Sequence, residues 1–372
     1  MTWIAWSFLP LLLALQSDRT PYKPPRQQPQ EYNGPGREEA DPEGLKEILI
    51  GYFGPGDPKH LEGGMFWMGA SLAMEEVNWE GGYKGLSFRL VPGWSENPWS
   101  GGPSRVVRMA YVDRVWAVIG SIDGTATHLA EQVVAKALLP LVDPGSTDST
   151  VNQANVPWVF SCAPSDRTIC RALLKGLVDS ATQKSFAVIS ATDHDSRALS
   201  TEFSALLRKS FISPLYQFDS QGVVPEIPVG VKAVVILAGV RDSARILGQV
   251  RRERKDLIVF GGPAMGRQVL LSQAEGVRCP VMLEPAEAYR LFVLHFAERW
   301  QTTPDFAAAS AYDAARLTIA AVRKGGLNRA RIRDALQGMS GWQGASGAVR
   351  WDASGRNNRE VRLGTITNGR LE

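Results

Sequence analysis

The chain has 372 residues, more than one ordinary hydrophobic core accommodates, so two lobes are expected. Hydrophobic residues make up 44% and charged residues 21% of the sequence, which is typical of a globular protein and not of a disordered or membrane-embedded one. The formal net charge of +3 gives no electrostatic support to nucleic-acid binding. A basic cluster at residues 251–255 is interpreted as a solvated helix end.

The N-terminal region differs in composition from the rest of the chain. An apolar run over residues 4–15 is shorter than the roughly 20 residues needed to span a bilayer and is typical of a signal-peptide core. Residues 1–16 are therefore predicted to be a signal peptide, which implies a periplasmic or extracellular location without stable membrane insertion. Residues 17–45 are poor in apolar residues, which predicts a disordered linker.

From residue 46 onwards, apolar runs typical of strands alternate with segments of helical spacing. Strands are predicted at residues 47–53, 86–91, 115–119, 139–142, 158–161, 185–189, 233–237, 257–260, 347–351 and 361–366. Helices are predicted at residues 63–78, 103–112, 126–137, 167–181, 198–210, 242–252, 286–302, 307–324 and 329–337. This alternation indicates an α/β fold with parallel sheets, and about ten strands suit two sheets better than one.

Two predicted strands end in loops rich in Gly, Ser, Thr and Asp. They are residues 118–127 and residues 139–147. Ligands of open α/β sheets bind beyond the carboxyl ends of the strands, where hydroxyls and backbone N–H groups suit an anionic or polar small molecule. These loops are therefore predicted to form the two walls of one small-ligand cleft.

Motifs of nucleotide-dependent and hydrolytic enzymes are absent from the sequence. It contains no phosphate loop, no dinucleotide fingerprint and no nucleophile elbow, so no cofactor is predicted. Cys162, Cys170 and Cys279 form no CxxC pair, and a structural zinc site is not expected. Cys162 and Cys170 are close enough in sequence to pair, although spacing alone does not establish a disulfide.

One short stretch allows an enzymatic alternative. His194 stands between Asp193 and Asp195, and a histidine beside carboxylates can serve as a general base. Adjacent residues usually point in different directions, so a polar loop is favoured and no catalytic residue is predicted. Glu75 and Glu76 are interpreted in the same way, as one solvated and one structural carboxylate on a helix.

Several stretches, taken in order, resemble the type I periplasmic solute-binding proteins of the branched-chain amino-acid-binding (leucine/isoleucine/valine-binding) family. They are residues 48–55, 69–78, 81–82, 117–121, 140–147, 309–314, 344–347 and 349–351, so the resemblance covers about residues 46–372. It implies two Rossmann-like lobes joined by three crossing strands: an N-lobe of residues 46–162 and 290–338, and a C-lobe of residues 163–289 and 339–372. Proteins of this family close around a ligand and usually deliver it to an ABC permease, while some relatives serve as sensor domains.

The resemblance also implies ligand-binding residues. In the family, two N-lobe loops hold the carboxylate of an amino acid, and the matching positions here are Ile122, Asp123, Gly124, Thr125, Gly145, Ser146 and Thr147. The candidates outside those loops are Trp94, His194, Asp195 and Pro263. No acid stands at residues 261–265, where the family places its partner for the ligand amine, so only Asp123 or Asp195 could take that role.

Overall fold

The computed structural model describes residues 31–220, 222–284 and 286–372, and the chain in these ranges forms two lobes, each built on one sheet. The predicted signal peptide, residues 1–16, lies outside the described residues, as do residues 17–30 of the predicted linker. The predicted α/β class with parallel sheets is confirmed.

Strands and helices follow one another along the chain. The strands are β1 (Glu47–Phe53), β2 (Ser87–Pro92), β3 (Val118–Gly120), β4 (Leu141–Asp143), β5 (Val159–Ser161), β6 (Phe186–Ala191), β7 (Tyr216–Ser220), β8 (Ala233–Leu237), β9 (Ile258–Gly261), β10 (Arg278–Val281), β11 (Trp342–Gln343), β12 (Ala348–Val349), β13 (Arg362–Thr367) and β14 (Arg370–Leu371). The helices are α1 (Gly64–Trp79), α2 (Pro98–Tyr111), α3 (Gly124–Ala137), α4 (Asp166–Asp179), α5 (His194–Lys209), α6 (Val240–Glu253), α7 (Gln268–Leu271), α8 (Glu287–Trp300), α9 (Phe306–Gly325) and α10 (Arg329–Gln337).

The sheet of the N-lobe is parallel throughout. Its strands have the spatial order β2-β1-β3-β4-β5. Every residue of β3, β4 and β5 is buried, because helices cover both faces, and these strands therefore read as continuous apolar runs. β3 pairs with β4 through Ile119 and Val142, which brings the carboxyl ends of the two strands side by side.

The sheet of the C-lobe is mixed. Its order is β14-β13-β10-β9-β8-β6-β7, in which β10, β9, β8, β6 and β7 are parallel and the terminal strands β13 and β14 are antiparallel. The core beneath it includes fully buried Phe186, Phe203 and Phe260. Each such side chain contributes about 1.5–3 kcal/mol of burial free energy.

The chain crosses between the lobes three times, after β5, after β10 and before β13. Two buried side chains before β13 join the three crossings. The Asn357 amide donates to the Cys162 carbonyl at 2.7 Å, and the Arg359 guanidinium donates to the Met282 carbonyl at 2.7 Å. These contacts form a hinge whose backbone polar groups are satisfied by side chains.

Helices α8, α9 and α10 return to the N-lobe, where α9 packs along α1. A Cβ at Gly69 would lie 2.0 Å from the carbonyl oxygen of Ala308, so glycine allows this close packing. Val349 and Trp351 also pack against the N-lobe core. The segment around β11 and β12, which the resemblance places in the C-lobe with the rest of residues 339–372, therefore also contacts the N-lobe core.

Residues 31–45 form no helix or strand, yet they contact the N-lobe. Arg37 pairs with Asp334 of α10 at 2.6 Å, and Tyr32 lies edge-on to buried Trp158 with ring centroids 4.7 Å apart. Asp41 forms an ion pair with Arg331. These long-range contacts lie within the segment predicted to be a disordered linker, and its composition does not reveal them.

Besides the two-residue β14, two described strands of the C-lobe were not predicted. β7 is an edge strand whose first four residues are at least partly exposed, so it lacks an apolar run. β10 is four residues long and contains Pro280, which disfavours a strand prediction. β7 lies at an edge of the sheet and β10 lies between β9 and β13, whereas the other long strands of this sheet were predicted correctly.

All three cysteines are buried and free in the structure. Cys162 lies at the first crossing and Cys170 lies within α4, so the pairing left open by their spacing is not formed. Among the helices of the described ranges, none has the length and apolar character needed to cross a membrane.

Candidate functional site

The first cleft loop begins where β3 ends and leads directly into α3. Asp123 is the N-cap of α3, and its carboxylate accepts a hydrogen bond from the Ala126 amide at 2.7 Å. The hydroxyls of Ser121 and Thr127 each donate to the Asp123 carbonyl at 2.7 Å. Together these contacts fix the N-terminus of α3 so that its first amides face the cleft.

The second cleft loop follows β4 and is held by Asp143. Its Oδ1 accepts hydrogen bonds from the amides of Gly145 at 2.9 Å and Ser146 at 3.0 Å. A Cβ at Gly145 would lie 2.7 Å from the Ile122 carbonyl oxygen, so the two loops are in direct backbone contact. Asp143 therefore uses two amides that the resemblance assigns to ligand binding.

Thr147 and the side chain of Ser146 differ in their surroundings. The Thr147 carbonyl accepts from the Asp166 amide at 2.7 Å, which ties the loop to the start of α4 in the C-lobe. The hydroxyl of Ser146 is buried without a hydrogen-bond partner among the described residues. A buried hydroxyl left unpaired costs about 1–3 kcal/mol, so Ser146 is the loop residue best placed to gain from a polar ligand.

Asp195 crosses from the C-lobe to the N-terminus of α3. Its Oδ1 accepts from the Gly124 amide at 2.6 Å, and its Oδ2 lies 3.4 Å from the Thr125 amide and 3.3 Å from the Thr125 hydroxyl. Asp195 itself lies in the first turn of α5, whose N-cap is Asp193. One carboxylate thus lies between two helix N-termini, each of which carries a partial positive charge.

A second contact between the lobes adjoins the first. His194 Nε2 lies 2.9 Å from Asp148 Oδ2, and His128 Nε2 lies 3.1 Å from the same oxygen. His128 and Asp148 belong to the N-lobe, whereas His194 is the first residue of α5 in the C-lobe. Asp148 is buried, and the two imidazoles are half-buried.

A third contact between the lobes is a buried ion pair. Arg267 follows the short turn at Pro263–Gly266 and pairs with Asp305, the N-cap of α9, at 2.7 Å. Its guanidinium also donates to the Glu62 carbonyl at 3.0 Å. With the contacts of Asp195 and His194, this pair shows that the structure is a closed arrangement of the lobes.

Burial and neighbouring charges change the pKa values of the cleft carboxyls. Burial raises the pKa of Asp123, and the nearby charge of Asp195 raises it further. Burial also raises the pKa of Asp195. Burial alone would raise the pKa of Asp148 as well, but hydrogen bonds from His128, Thr150 and His194 hold it below the ordinary value. The hydrogen bond to Asp148 raises the pKa of His128.

Of the predicted site residues, the two loops lie together, and His194 and Asp195 reach them from the other lobe. Trp94 instead packs against Phe53 with ring centroids 5.8 Å apart, and Pro263 begins the turn before Arg267. The enzymatic alternative has no support in this geometry. Asp193 caps α5 while His194 and Asp195 reach separate partners, so the three do not form a catalytic array.

Sequence reasoning missed four residues that shape the site: Asp143, Asp148, His128 and Arg267. Asp143 ends β4 and Asp148 lies in the loop after it, and each carboxylate accepts from the amide two residues on, which is a common role of Asp in loops. His128 stands four residues after Gly124 and so lies on the same face of α3. Arg267 gave no indication in the sequence, because its partner lies 38 residues away.

Comparison with known proteins gives a consistent family and fold. A family model described as "Periplasmic binding protein" matches residues 54–370. An amino acid binding protein of Pseudomonas aeruginosa is 25% identical over 247 residues, and the match covers 64% of this chain and 60% of that protein.

Two solved structures show the same fold. One is the branched-chain amino acid transporter substrate binding protein LivJ of Streptococcus pneumoniae in complex with isoleucine (TM-score 0.77, 20% identity, covering 88% of this chain and 98% of that chain). The other is an ABC transporter substrate-binding protein of Desulfitobacterium hafniense in complex with Leu (TM-score 0.76, 24% identity, covering 88% of this chain and 99% of that chain). The predicted type I fold of two lobes is therefore confirmed.

Proposed function

The chain belongs to the periplasmic binding protein family, and from that membership we propose that it is an extracytoplasmic solute-binding protein of an ABC-type uptake system. It binds a small polar ligand, an amino acid or a related carboxylate or amide, between its lobes. Binding works by hinge closure, because a ligand that contacts both lobes favours the closed form over the open one. The protein performs no chemistry on the ligand.

One observation supports this proposal more than any other. The N-termini of α3 and α5 face each other across the cleft with the Asp195 carboxylate between them. Fixed amide dipoles from both lobes favour a negative group there without a buried cationic side chain. A ligand carboxylate suits the same position, and it gains access when the lobes open and Asp195 moves away from α3.

The charges around the cleft narrow the class of ligand. Asp123 and Asp195 lie near one another, and both are partly buried. A ligand ammonium group would offset their negative charge, whereas burying an unpaired ammonium elsewhere would cost several kcal/mol. The unpaired Ser146 hydroxyl adds a neutral hydrogen-bonding group. An amino acid, with a carboxylate and an ammonium group, therefore fits this cleft better than a simple anion does.

The names of the relatives support the same class of ligand. The Pseudomonas aeruginosa protein is named an amino acid binding protein, and the two structural neighbours hold isoleucine and leucine. Coupling to an ABC permease and export across a membrane are part of the proposal, the latter because of the apolar run at residues 4–15.

Calorimetry tests the proposal. The purified chain is unfolded and refolded to remove any ligand carried from the host, and its circular dichroism is checked. It is then titrated in EDTA with amino acids, small carboxylates and amides. We expect at least one solute to bind with a Kd of about 10⁻⁶ M, equivalent to about −8 kcal/mol. The absence of binding across the whole panel, on refolded protein, would overturn the proposal.

A further inference from the structure

Three side chains from separate parts of the chain converge at the edge of the cleft. His128 Nε2, one carboxylate oxygen of Asp148 and His194 Nε2 all lie within 4.8 Å of one another. The two nitrogen–oxygen distances are 3.1 Å and 2.9 Å. Ligand atoms around a tetrahedral zinc ion, each about 2.0–2.2 Å from the metal, lie about 3.3–3.6 Å apart. To admit such an ion, the two nitrogen–oxygen distances would lengthen slightly, and the widest separation in the cluster, up to 4.8 Å, would shorten.

The central carboxylate is held in place from the opposite side. Asp148 Oδ1 accepts from the Thr150 amide at 2.7 Å and from the Thr150 hydroxyl at 2.7 Å. Oδ2 is thereby directed at the two imidazoles. Partners that orient a carboxylate in this way are typical of the outer shell of metal sites, where they fix the ligand before the ion binds.

His128 is oriented in a similar way. Its Nδ1 lies 3.8 Å from Glu131 Oε2, one turn further along α3, while its Nε2 faces Asp148. A histidine that coordinates through Nε2 carries its proton on Nδ1, where a nearby carboxylate stabilises it. A bound ion would replace the Nε2 proton that His128 directs at Asp148, and the proton remaining on Nδ1 would face Glu131.

We propose that His128, Asp148 and His194 bind one first-row divalent transition-metal ion, specifically Zn²⁺, across the cleft between the lobes. Two imidazoles and one carboxylate suit Zn²⁺, whereas Mg²⁺ and Ca²⁺ prefer all-oxygen sites. Three protein ligands leave a coordination position for water or for a donor atom of a bound solute. The site is separate from the proposed solute-binding function, which does not require a metal.

Because the three metal-binding side chains come from both lobes, a bound ion affects the conformation of the protein. His128 and Asp148 come from the N-lobe and His194 from the C-lobe, so the complete site exists only in the closed form. An ion that binds only this form shifts the equilibrium towards it by mass action. Zn²⁺ therefore acts as a clamp on the lobes.

The test is a titration with Zn²⁺ alone, on tag-free full-length protein previously treated with EDTA. We expect binding of one ion per chain with a micromolar or lower Kd, together with a smaller radius of gyration in X-ray scattering. His194→Ala and His128→Ala are each expected to weaken binding by about 100-fold or more, since each removes a ligand. His295→Ala removes a histidine outside the cluster and is expected to bind Zn²⁺ as the wild type does.

The variants require folding controls, and His194→Gln provides one because its amide can still donate to Asp148. Circular dichroism and the midpoint of urea unfolding, both in EDTA, verify that each variant is folded. A titration without saturable one-to-one binding would overturn the proposal, as would wild-type affinity in folded His194→Gln. Zn²⁺ binding that leaves the radius of gyration unchanged would contradict the proposed effect of the ion on lobe closure. Solute binding in EDTA is a separate measurement, so loss of the metal site does not imply loss of the proposed function.

Discussion

The amide nitrogen of Gly124, at the start of α3, lies 2.6 Å from Oδ1 of Asp195, in the first turn of α5. This hydrogen bond joins the two lobes and places a carboxylate of the protein at the N-terminus where a ligand carboxylate is expected. Asp195 therefore has two opposite effects on ligand binding. It competes with a ligand carboxylate for α3 and attracts a ligand ammonium group.

Replacing Asp195 separates these two effects. Asp195→Asn removes the charge, so an amino acid is expected to bind about 10-fold more weakly or worse through loss of its ammonium partner. The matching carboxylate without the ammonium group is expected to bind more tightly, because its competitor has been neutralised. Calorimetry with the amino acid and its deaminated analogue measures both changes.

Asp193→Asn is the matched control for this substitution. Asp193 caps the same helix two residues earlier, and asparagine is an equally good N-cap. Both affinities are expected to remain at the wild-type level. If Asp195→Asn left both affinities unchanged as well, Asp195 would have no role in the ligand site.

The buried pair of Arg267 and Asp305 is expected to dominate contact between the lobes away from the ligand loops. Both side chains are almost fully buried. Asp305→Ala leaves the Arg267 charge unpaired and removes the cap of α9, so a loss of about 3–5 kcal/mol is expected in urea unfolding. Glu75→Ala, which breaks the exposed pair with Arg299, is expected to cost less than about 1 kcal/mol. Equal losses in the two variants would contradict this account.

Gly145 is expected to tolerate no side chain. In Gly145→Ala the new Cβ would lie 2.7 Å from the Ile122 carbonyl oxygen, and backbone cannot move aside as a flexible side chain can. The two cleft loops separate, and ligand affinity is expected to fall by at least about 10-fold, equivalent to 1.4 kcal/mol. Gly248→Ala, on α6, meets only the end of the Arg252 side chain at 3.6 Å, and its affinity is expected to match the wild type. Tight ligand binding by Gly145→Ala would show that the loops need not touch.

Asp143 is expected to make folding stability depend on pH. Burial raises its pKa to about 8, above the value of about 3.9 for an unfolded chain. The folded form then retains a proton that the unfolded form releases, so this contribution to stability declines as the pH rises from about 4 to about 8. Asp143→Asn keeps an oxygen for the amides of Gly145 and Ser146 but does not titrate. Its stability relative to the wild type is expected to increase over the same interval, measured by urea unfolding.

Asp143→Ala provides the contrast, since it removes both the titration and the hydrogen bonds to the loop. A loss of about 1–3 kcal/mol relative to Asp143→Asn is expected at every pH. Parallel pH profiles for the wild type and Asp143→Asn would mean that Asp143 is ionised in the folded protein.

The sequence predicted the central strands and the two cleft loops because local patterns encode them. β3 and β4 are wholly buried and lead into small polar residues. The sequence therefore predicts both the strands and the cleft loops at their carboxyl ends. The same reasoning missed β7, which is largely exposed, and β10, which contains Pro280. Local pattern thus identifies apolar, buried strands better than exposed strands or strands that contain proline.

Contacts between the lobes could not be predicted in this way. Gly124 and Asp195 are 71 residues apart, and His194 and Asp148 are 46 residues apart. The sequence identified Asp195 as a candidate but not that its partner is the N-terminus of α3. The metal-ligand set was missed for the same reason, because its three members share no short spacing.

The central requirement of the proposed function is closure of the two lobes around a solute. Small-angle X-ray scattering measures this directly, with the refolded wild-type chain in EDTA and the same panel of amino acids, carboxylates and amides added one at a time. We expect the radius of gyration to fall and to saturate with at least one amino acid, because binding between the lobes favours the closed form. An unchanged radius of gyration with every solute, including any that releases heat in calorimetry, would contradict the account.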